Sequence, residues 1–441
     1  MRRAAARRTA AILILALGVV AAALSTTGLP HPRESLLQRS VTRQEVAAPG
    51  GPRAQAGESP RLYSVLSRGK TGFIDDKGRL VIPAKFEPSW FWIGRSDERA
   101  GEFSEGMARI KVEAGKSPVT TLTKYLNGFI DATGEVVIPP QFEEAGDFSE
   151  GLAAVKVSTW REGYNTTKDR YGYVDKTGRM AIPARFYVAG SFSEGLANVC
   201  EEGAGCGYID HSGRMALPLS FGGLGEFRDG MAMVFRAGGD YGIIDRTGRL
   251  IYEGRFHSLR SRWFYEGLAA VPVGDKIGFI DKTGRVVIKP VYDSAGDFSE
   301  GLAPVKVGGK YGFIDKSGAM VIGPRYDSAS GFSEGLAVIG VDGKRGYVER
   351  RYGYIDKSGR VVSRPQFYMA DNFYEGLAEV EVQDRSGRVT CGYIDAAGRM
   401  VIKPRFNFAQ RFSGGIAMVK PSFYTMGYID KTGRYVWGPS R

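Results

Sequence analysis

The sequence predicts an all-β protein built as an array of ten repeats, and three observations carry that expectation. A Gly-(aromatic or aliphatic)-(Ile/Val)-Asp element begins at Gly72, Gly128, Gly172, Gly207, Gly242, Gly278, Gly312, Gly353, Gly392 and Gly427. Its spacing is about 35 residues where no insertion intervenes, the mark of a repeat architecture rather than of several unrelated domains. Each copy is followed by an Asp-x-x-Gly turn, as in Asp281–Gly284. Aromatic residues make up 12% of the 441, enough for a large buried core and too many for a disordered chain.

The elements of one copy follow in order. Gly-Phe-Ile-Asp, as at Gly278–Asp281, is a short strand of β-favouring residues. Asp-Lys-Thr-Gly-Arg predicts a type I turn closed by a left-handed glycine, with the Asp side chain bonding its own backbone two residues on. Val286–Ile288 is the return strand, and the proline that follows is expected to end the ladder because it has no N–H to donate. A loop then leads to Phe-Ser-Glu-Gly (Phe298–Gly301), and Leu302–Val307 forms a strand that alternates Leu, Pro, Lys against Ala, Val, Val. A Gly-Gly-Lys link returns the chain to the next copy.

One such three-stranded antiparallel meander is too small to bury a core, so copies must lie against one another. Ten whole units fit between residues 62 and 439 with no strand left over. Closed propellers often share one blade between the two termini, so whole units favour an open or spiral β-solenoid, with a closed propeller-like ring as the alternative.

Ahead of the repeats, MRRAAARRTA precedes the apolar run Ala10–Leu24. This pattern predicts a signal peptide or membrane anchor helix over 1–25. Residues 26–60, rich in Pro, Gly, Ala and Arg, read as a flexible linker. The repeat domain is assigned to 61–441. The chain carries a net charge of +12, and residues 1–60 hold eight arginines against three acidic residues. The remaining balance, 52 basic to 45 acidic, suits a soluble surface and does not suggest nucleic-acid binding.

The repeated pattern Gly-aromatic-Ile-Asp, Gly-Arg, Val-Ile-x-Pro, Phe-Ser-Glu-Gly-Leu-Ala-x-Val resembles the WG repeat proteins over about 62–439. The chain departs from that family at the tryptophan before each motif glycine. Those positions are Thr71, Asn127, Tyr171, Cys206, Tyr241, Ile277, Tyr311, Tyr352, Cys391 and Met426. The resemblance implies a bacterial repeat protein that presents a recognition surface, and it implies no catalytic residues.

Candidate sites are few. Cys200 and Cys206 flank a five-residue connection between two strands, so a disulfide is expected in an oxidising compartment. Cys391 occupies the position of Cys206 in another copy, but Glu381 stands where its partner would be, so it reads as a small buried residue. His31, His211 and His257 are the three histidines and suggest no Ser-His-Asp or metal grouping. The repeated Asp and Glu read as turn and loop residues. Arginines after the turn glycine, and the basic set Lys85, Arg185, Arg325 and Arg405, would form rows that either bind anionic polymers or pair with neighbouring acids.

Insertions at about 87–102, 114–126, 158–170, 342–352 and 383–390 are the more informative feature. They carry Trp90, Phe91, Trp92, Tyr125, Trp160, Tyr164 and Tyr352, which suit sugar stacking or protein contact. The reading is therefore a non-enzymatic, extracytoplasmic binding or scaffold protein for an envelope protein or cell-wall glycan. It takes no cofactor or metal and meets the membrane only through its N-terminus. A purely structural tethered spacer, and a hydrolase sited in the inserted loops, are the alternatives.

Overall fold

The computed structural model describes residues 61–440 apart from 88–101, 117–122, 162–165, 203–204, 220–222, 236–239, 256–262, 345 and 424. The N-terminal segment and linker expected over 1–25 and 26–60 lie outside the described residues. Among the described residues no helix is long and apolar enough to cross a membrane.

Among the described residues ten antiparallel sheets follow one another along the chain, eight of four strands and two of three. We number them blades 1 to 10: 63–86, 103–142, 144–186, 188–219, 223–255, 268–292, 294–326, 328–367, 369–406 and 408–440. Blade 7 shows the plan. A two-residue strand, Ser294–Ala295, pairs with Leu302–Val307, which pairs with Lys310–Asp315, which pairs with Met320–Tyr326. The meander expected from sequence therefore has a fourth, very short strand. It was hidden in what reads as a loop, because two residues are too few to show any alternation.

Two local devices shape each blade. The turn Asp281–Arg285 forms as the sequence predicts: the Asp281 N–H donates to Arg285 O (3.0 Å), and the backbone N–H groups of Thr283 and Arg285 donate to Asp281 Oδ1 (2.9 and 3.1 Å). Gly284 closes it at φ +87°. The motif glycine has a different task. A Cβ on Gly312 would stand 2.3 Å from Ile322 O, because the outer strand bulges over it between Ile322 and Tyr326. The proline in that bulge does not end the strand as expected from sequence. It sits in the sheet's outer edge strand, where the ladder needs no donor from it.

Both faces of each sheet are buried, because the blades stack. In blade 7, Ala303 and Val305 join the core shared with blade 6, while Leu302 and Phe313 join the core shared with blade 8. In most blades an aromatic follows the motif glycine and meets a Phe of the next blade, in or at the place of the Phe-Ser-Glu-Gly segment, edge-on or tilted. Examples are Phe313–Phe332 (5.0 Å between centroids) and Tyr393–Phe412 (4.9 Å). Burying such a ring contributes about 1.5–3 kcal/mol. Where it is tyrosine, its hydroxyl also donates across the interface, as from Tyr354 to Asp371 O (2.7 Å).

The array closes on itself, which corrects the expectation of an open or spiral solenoid. Val65 and Ile74 of blade 1 share a core with Ile416, Met418 and Tyr428 of blade 10. The Tyr428 hydroxyl donates to Ser64 O (2.8 Å), and that of Tyr63 donates to Ser413 O (2.9 Å). A Cβ on the turn glycine of blade 1, Gly78, would collide with Val436 O of blade 10. Equivalent turn glycines lie against the preceding blade's outer strand elsewhere, as Gly318 does against Ile288. The structure is a ten-bladed β-propeller. Whole units do not force an open array, because side chains at the seam repeat the contacts used between the other blades, and no shared strand is needed.

Candidate functional site

Antiparallel connection divides the ring's loops between two faces. Among the described residues the Ser-Glu-Gly turns, or their counterparts, and the Asp-x-x-Gly turns lie at one end of the strands, and the hairpins between second and third strands lie at the other. We call these the turn face and the hairpin face.

On the turn face, the repeated polar residues are committed to holding blades together. Ser299 and Leu302 bond each other's backbone at 2.9 and 3.2 Å, so Glu300 and Gly301 occupy a two-residue hairpin with both φ positive, +54° and +86°. A non-glycine residue in that region costs roughly 1–2 kcal/mol. The cost is offset across the interface. Glu300 Oε2 accepts the N–H of Gly335 (3.0 Å) and the ammonium of Lys357 (3.0 Å), both on the next blade. Ser299 Oγ donates to Phe332 O (2.6 Å). Glu105, Glu266 and Glu375 repeat the clamp with Gly151 and Lys176, Gly301 and Lys316, and Gly415 and Lys431. In blade 4, His211 replaces the lysine, 3.1 Å from Glu150 and stacked on Phe192. Desolvation raises the pKa of Glu105, Glu266 and Glu375, but the backbone N–H and lysine bonds outweigh it and hold all three below the ordinary glutamate value. These glutamates are the exposed loop residues that the sequence suggests, but they are engaged across the blade interface, which the sequence does not show.

The basic rows are similarly occupied. Arg79, Arg249, Arg360 and Arg399 each lie 2.7–3.1 Å from the Asp that opens their own turn. Side-chain bonds from Ser358 and Arg360 lower the pKa of Asp356 to about 2. Arg185 and Arg325 donate across the interface to the turn-glycine carbonyls Gly213 O (2.6 Å) and Gly359 O (2.9 Å), and Arg405 does the same to Gly433. Each of the three also covers the adjacent aromatic ring. The second row is thus largely engaged, and in the first at least four of the eight arginines are bound to their own turn.

The hairpin face is where blades differ. In blade 7 the second and third strands end at Val307 and Lys310, joined by two glycines. Blade 3 extends the same pair to Arg161 and Thr166, and blade 2 to Lys116 and Thr123. In blade 8 the pair runs Leu336–Gly343 and Gly346–Asp356, and residues 341–351 pair only with each other, beyond the sheet. Blade 9 adds Asp384–Arg388, a turn bonded like those of the opposite face (Asp384 N–H to Arg388 O, 2.9 Å).

The residues singled out from sequence are dispersed. Trp90, Phe91, Trp92 and Tyr164 lie outside the described residues. Trp160 is opposite Thr167 in the long hairpin of blade 3. Tyr125 is half-buried, with Lys111 Nζ 5.1 Å from its ring centre. Tyr352 is not at a loop tip: it pairs with Phe367 and packs against the core between blades 8 and 9. Several positions of the missing tryptophan play this same role, since Tyr171, Ile277 and Tyr311 also pack on inter-blade cores. Cys200 and Cys206 are directly opposite in the blade 4 hairpin and joined by a disulfide, Cα–Cα 4.0 Å. Cys391 is a buried thiol. Its sulfur lies within 4.8 Å of carboxylate oxygens of Glu379 and Glu381.

Nine matches to the family described as "WG containing repeat" cover 72–87, 128–158, 171–203, 207–238, 241–276, 277–311, 311–344, 352–385 and 392–420, more than half of the chain. The chain belongs to the WG containing repeat family. Among curated proteins nothing matches this WG repeat protein. Among solved structures it is similar to BamB from Moraxella catarrhalis (8% identity, 70% of this chain and 96% of that one, TM-score 0.30). It is also similar to the β-propeller domain of the Trilobed protease from Pyrococcus furiosus (10% identity, 67% and 95%, TM-score 0.26). At such scores these likenesses carry no argument about what the WG repeats do.

Proposed function

We propose that this chain is a non-enzymatic, extracytoplasmic binding or scaffold protein whose recognition surface is the hairpin face. Its partner is an envelope protein or a cell-wall glycan. One observation carries the reading. The turn face repeats the same bonded residues from blade to blade, whereas the hairpin face changes length and composition from blade to blade, above all on blades 2, 3, 8 and 9. Rigid scaffolds that vary only their loops use those loops for recognition.

The test is capture from native envelope by the full chain, compared with a variant in which residues 158–169 and 342–351 are each replaced by a two-residue glycine turn. Loss of captured components with an unchanged circular dichroism spectrum supports the reading. An identical captured set from both proteins sinks it.

A further inference from the structure

The connections between second and third strands are not evenly charged around the ring. Aligned on the residues that pair at the base of each hairpin, those of blades 7, 8, 9, 10 and 1 contain eleven basic and four acidic residues, and those of blades 2 and 3 seven basic and three acidic. Those of blades 4, 5 and 6 contain two basic and four acidic residues. Because the ring closes, blades 7 to 10 and 1 to 3 are contiguous and their hairpins form one basic arc on one face; on blades 2 and 3 much of the charge is paired, as in Lys124 with Glu143, Lys156 with Glu144 and Arg170 with Glu202.

Part of this charge is tied up. Lys70 pairs with Glu87, Lys310 with Asp327, and Arg350 with Asp342. Arg68, Lys344, Arg385 and Arg388 are different. They stand at exposed hairpin tips and none forms an ion pair among the described residues, although Arg388 acts through space on Asp384, which opens its own turn. Arg68 is held at its tip by a two-residue turn (φ +49°, then Gly69 at +75°), and Arg385 and Arg388 by the bonded Asp384 turn. Beside them, the blade 10 hairpin presents Phe423 at 69% exposure, the most exposed of the large apolar side chains among the described residues.

We infer that this arc, from the tips of blades 8 and 9 across blade 10 to blade 1, binds an acidic polysaccharide. The inference rests on the hairpin face being the recognition surface and names the partner's chemistry. Guanidinium groups pair with carboxylates in bidentate fashion, and an exposed aromatic ring stacks on the apolar face of a sugar. Charge density selects the polymer. The basic tips are interleaved with Asp342, Glu349 and Asp384, so the arc suits a chain that carries its charges sparsely. Duplex DNA, with one phosphate per about 1.7 Å, calls for a denser and unbroken basic surface. A flat anionic bilayer could not follow hairpins of such different lengths.

The experiment uses the full chain and polygalacturonate, with its methyl-esterified form as the uncharged control and a 20-base-pair DNA duplex and phosphatidylglycerol vesicles as rival polyanions. The native chain is expected to bind polygalacturonate in a salt-dependent manner and to ignore the ester. Joint charge reversal, Arg68→Glu, Lys344→Glu, Arg385→Glu and Arg388→Glu, is expected to weaken binding by about tenfold or more and flatten the salt dependence. Phe423→Ala is expected to weaken it by about fivefold with the salt dependence unchanged. These tips are solvent-exposed, so an unchanged melting temperature verifies folding. Equal binding by native and reversed chains overturns the inference, as does equal binding of the ester, or DNA or vesicles bound as tightly as the polysaccharide. If polygalacturonate is not bound while envelope capture still depends on the hairpins, the inference fails and the binding reading stands.

Discussion

The two faces of the ring are built from the same ten repeats, yet they spend their polar residues differently. On the turn face, Ser299, Glu300, Arg325 and Lys357 all end on a neighbouring blade. On the hairpin face, Arg68, Lys344, Arg385 and Arg388 are exposed at the tips and reach no neighbouring blade's carboxylate among the described residues. The difference teaches that repetition in this chain is a record of assembly. A residue that recurs from blade to blade holds either its own blade's turn, as Asp281 does, or the interface with the next blade, as Glu300 does, and the information about a partner must be sought where the copies disagree.

That division can be broken most severely at the interface core. Phe313→Ala should cost about 3–5 kcal/mol, since the ring is fully buried between blades 7 and 8, and urea denaturation reads the loss. Gly312→Ala should cost a comparable amount with no apolar area removed, because a Cβ there would meet Ile322 O at 2.3 Å. Opening the disulfide by Cys200→Ser should cost about 2 kcal/mol, the loop-closure value for so short a connection.

Acid should weaken the turn face selectively. The clamp glutamates Glu105, Glu266 and Glu375 titrate below their unfolded value of 4.5. Their contribution is therefore complete above about pH 4.5 and is lost as the pH falls through the lower folded values. The Asp356 turn outlasts them, since its carboxyl stays ionised down to about 2. Melting temperature followed from pH 7 to pH 3 should stay level with respect to these groups until about 4.5 and then decline. The Glu300→Gln variant should start lower by about 1 kcal/mol, a figure kept small because that carboxylate is partly exposed.

Much of one blade was legible in the sequence. The period, the Asp281–Arg285 turn, the three longer strands and the Cys200–Cys206 juxtaposition follow from residues close together in the chain, where turn chemistry and alternation leave direct traces. What acts between blades left none. Glu300 looks like an exposed loop residue because its partners, Gly335 and Lys357, lie on the next repeat. Arg325 reads as part of a basic row because its acceptor is a carbonyl of Gly359, which no side-chain pattern marks. Closure was missed for the same reason: Tyr428 and Ser64 meet only after ten blades have turned full circle. Of the proposed recognition surface, the inserted hairpins are visible in the sequence as length differences. Arg68 and Phe423 are not, because their hairpins are of ordinary length and only alignment around a closed ring brings them beside blades 8 and 9.

The most direct test of the division of labour compares two melting temperatures. One variant removes three clamps, Glu266→Gln, Glu300→Gln and Glu375→Gln, and the other trims residues 158–169 and 342–351. The clamp variant should melt several degrees below the native chain, by about 3–6 °C for a loss of about 1 kcal/mol at each of three interfaces. The trimmed variant should melt within about 2 °C of it. A clamp variant as stable as the native chain, or a trimmed variant that loses more stability than the clamp variant, would contradict the account.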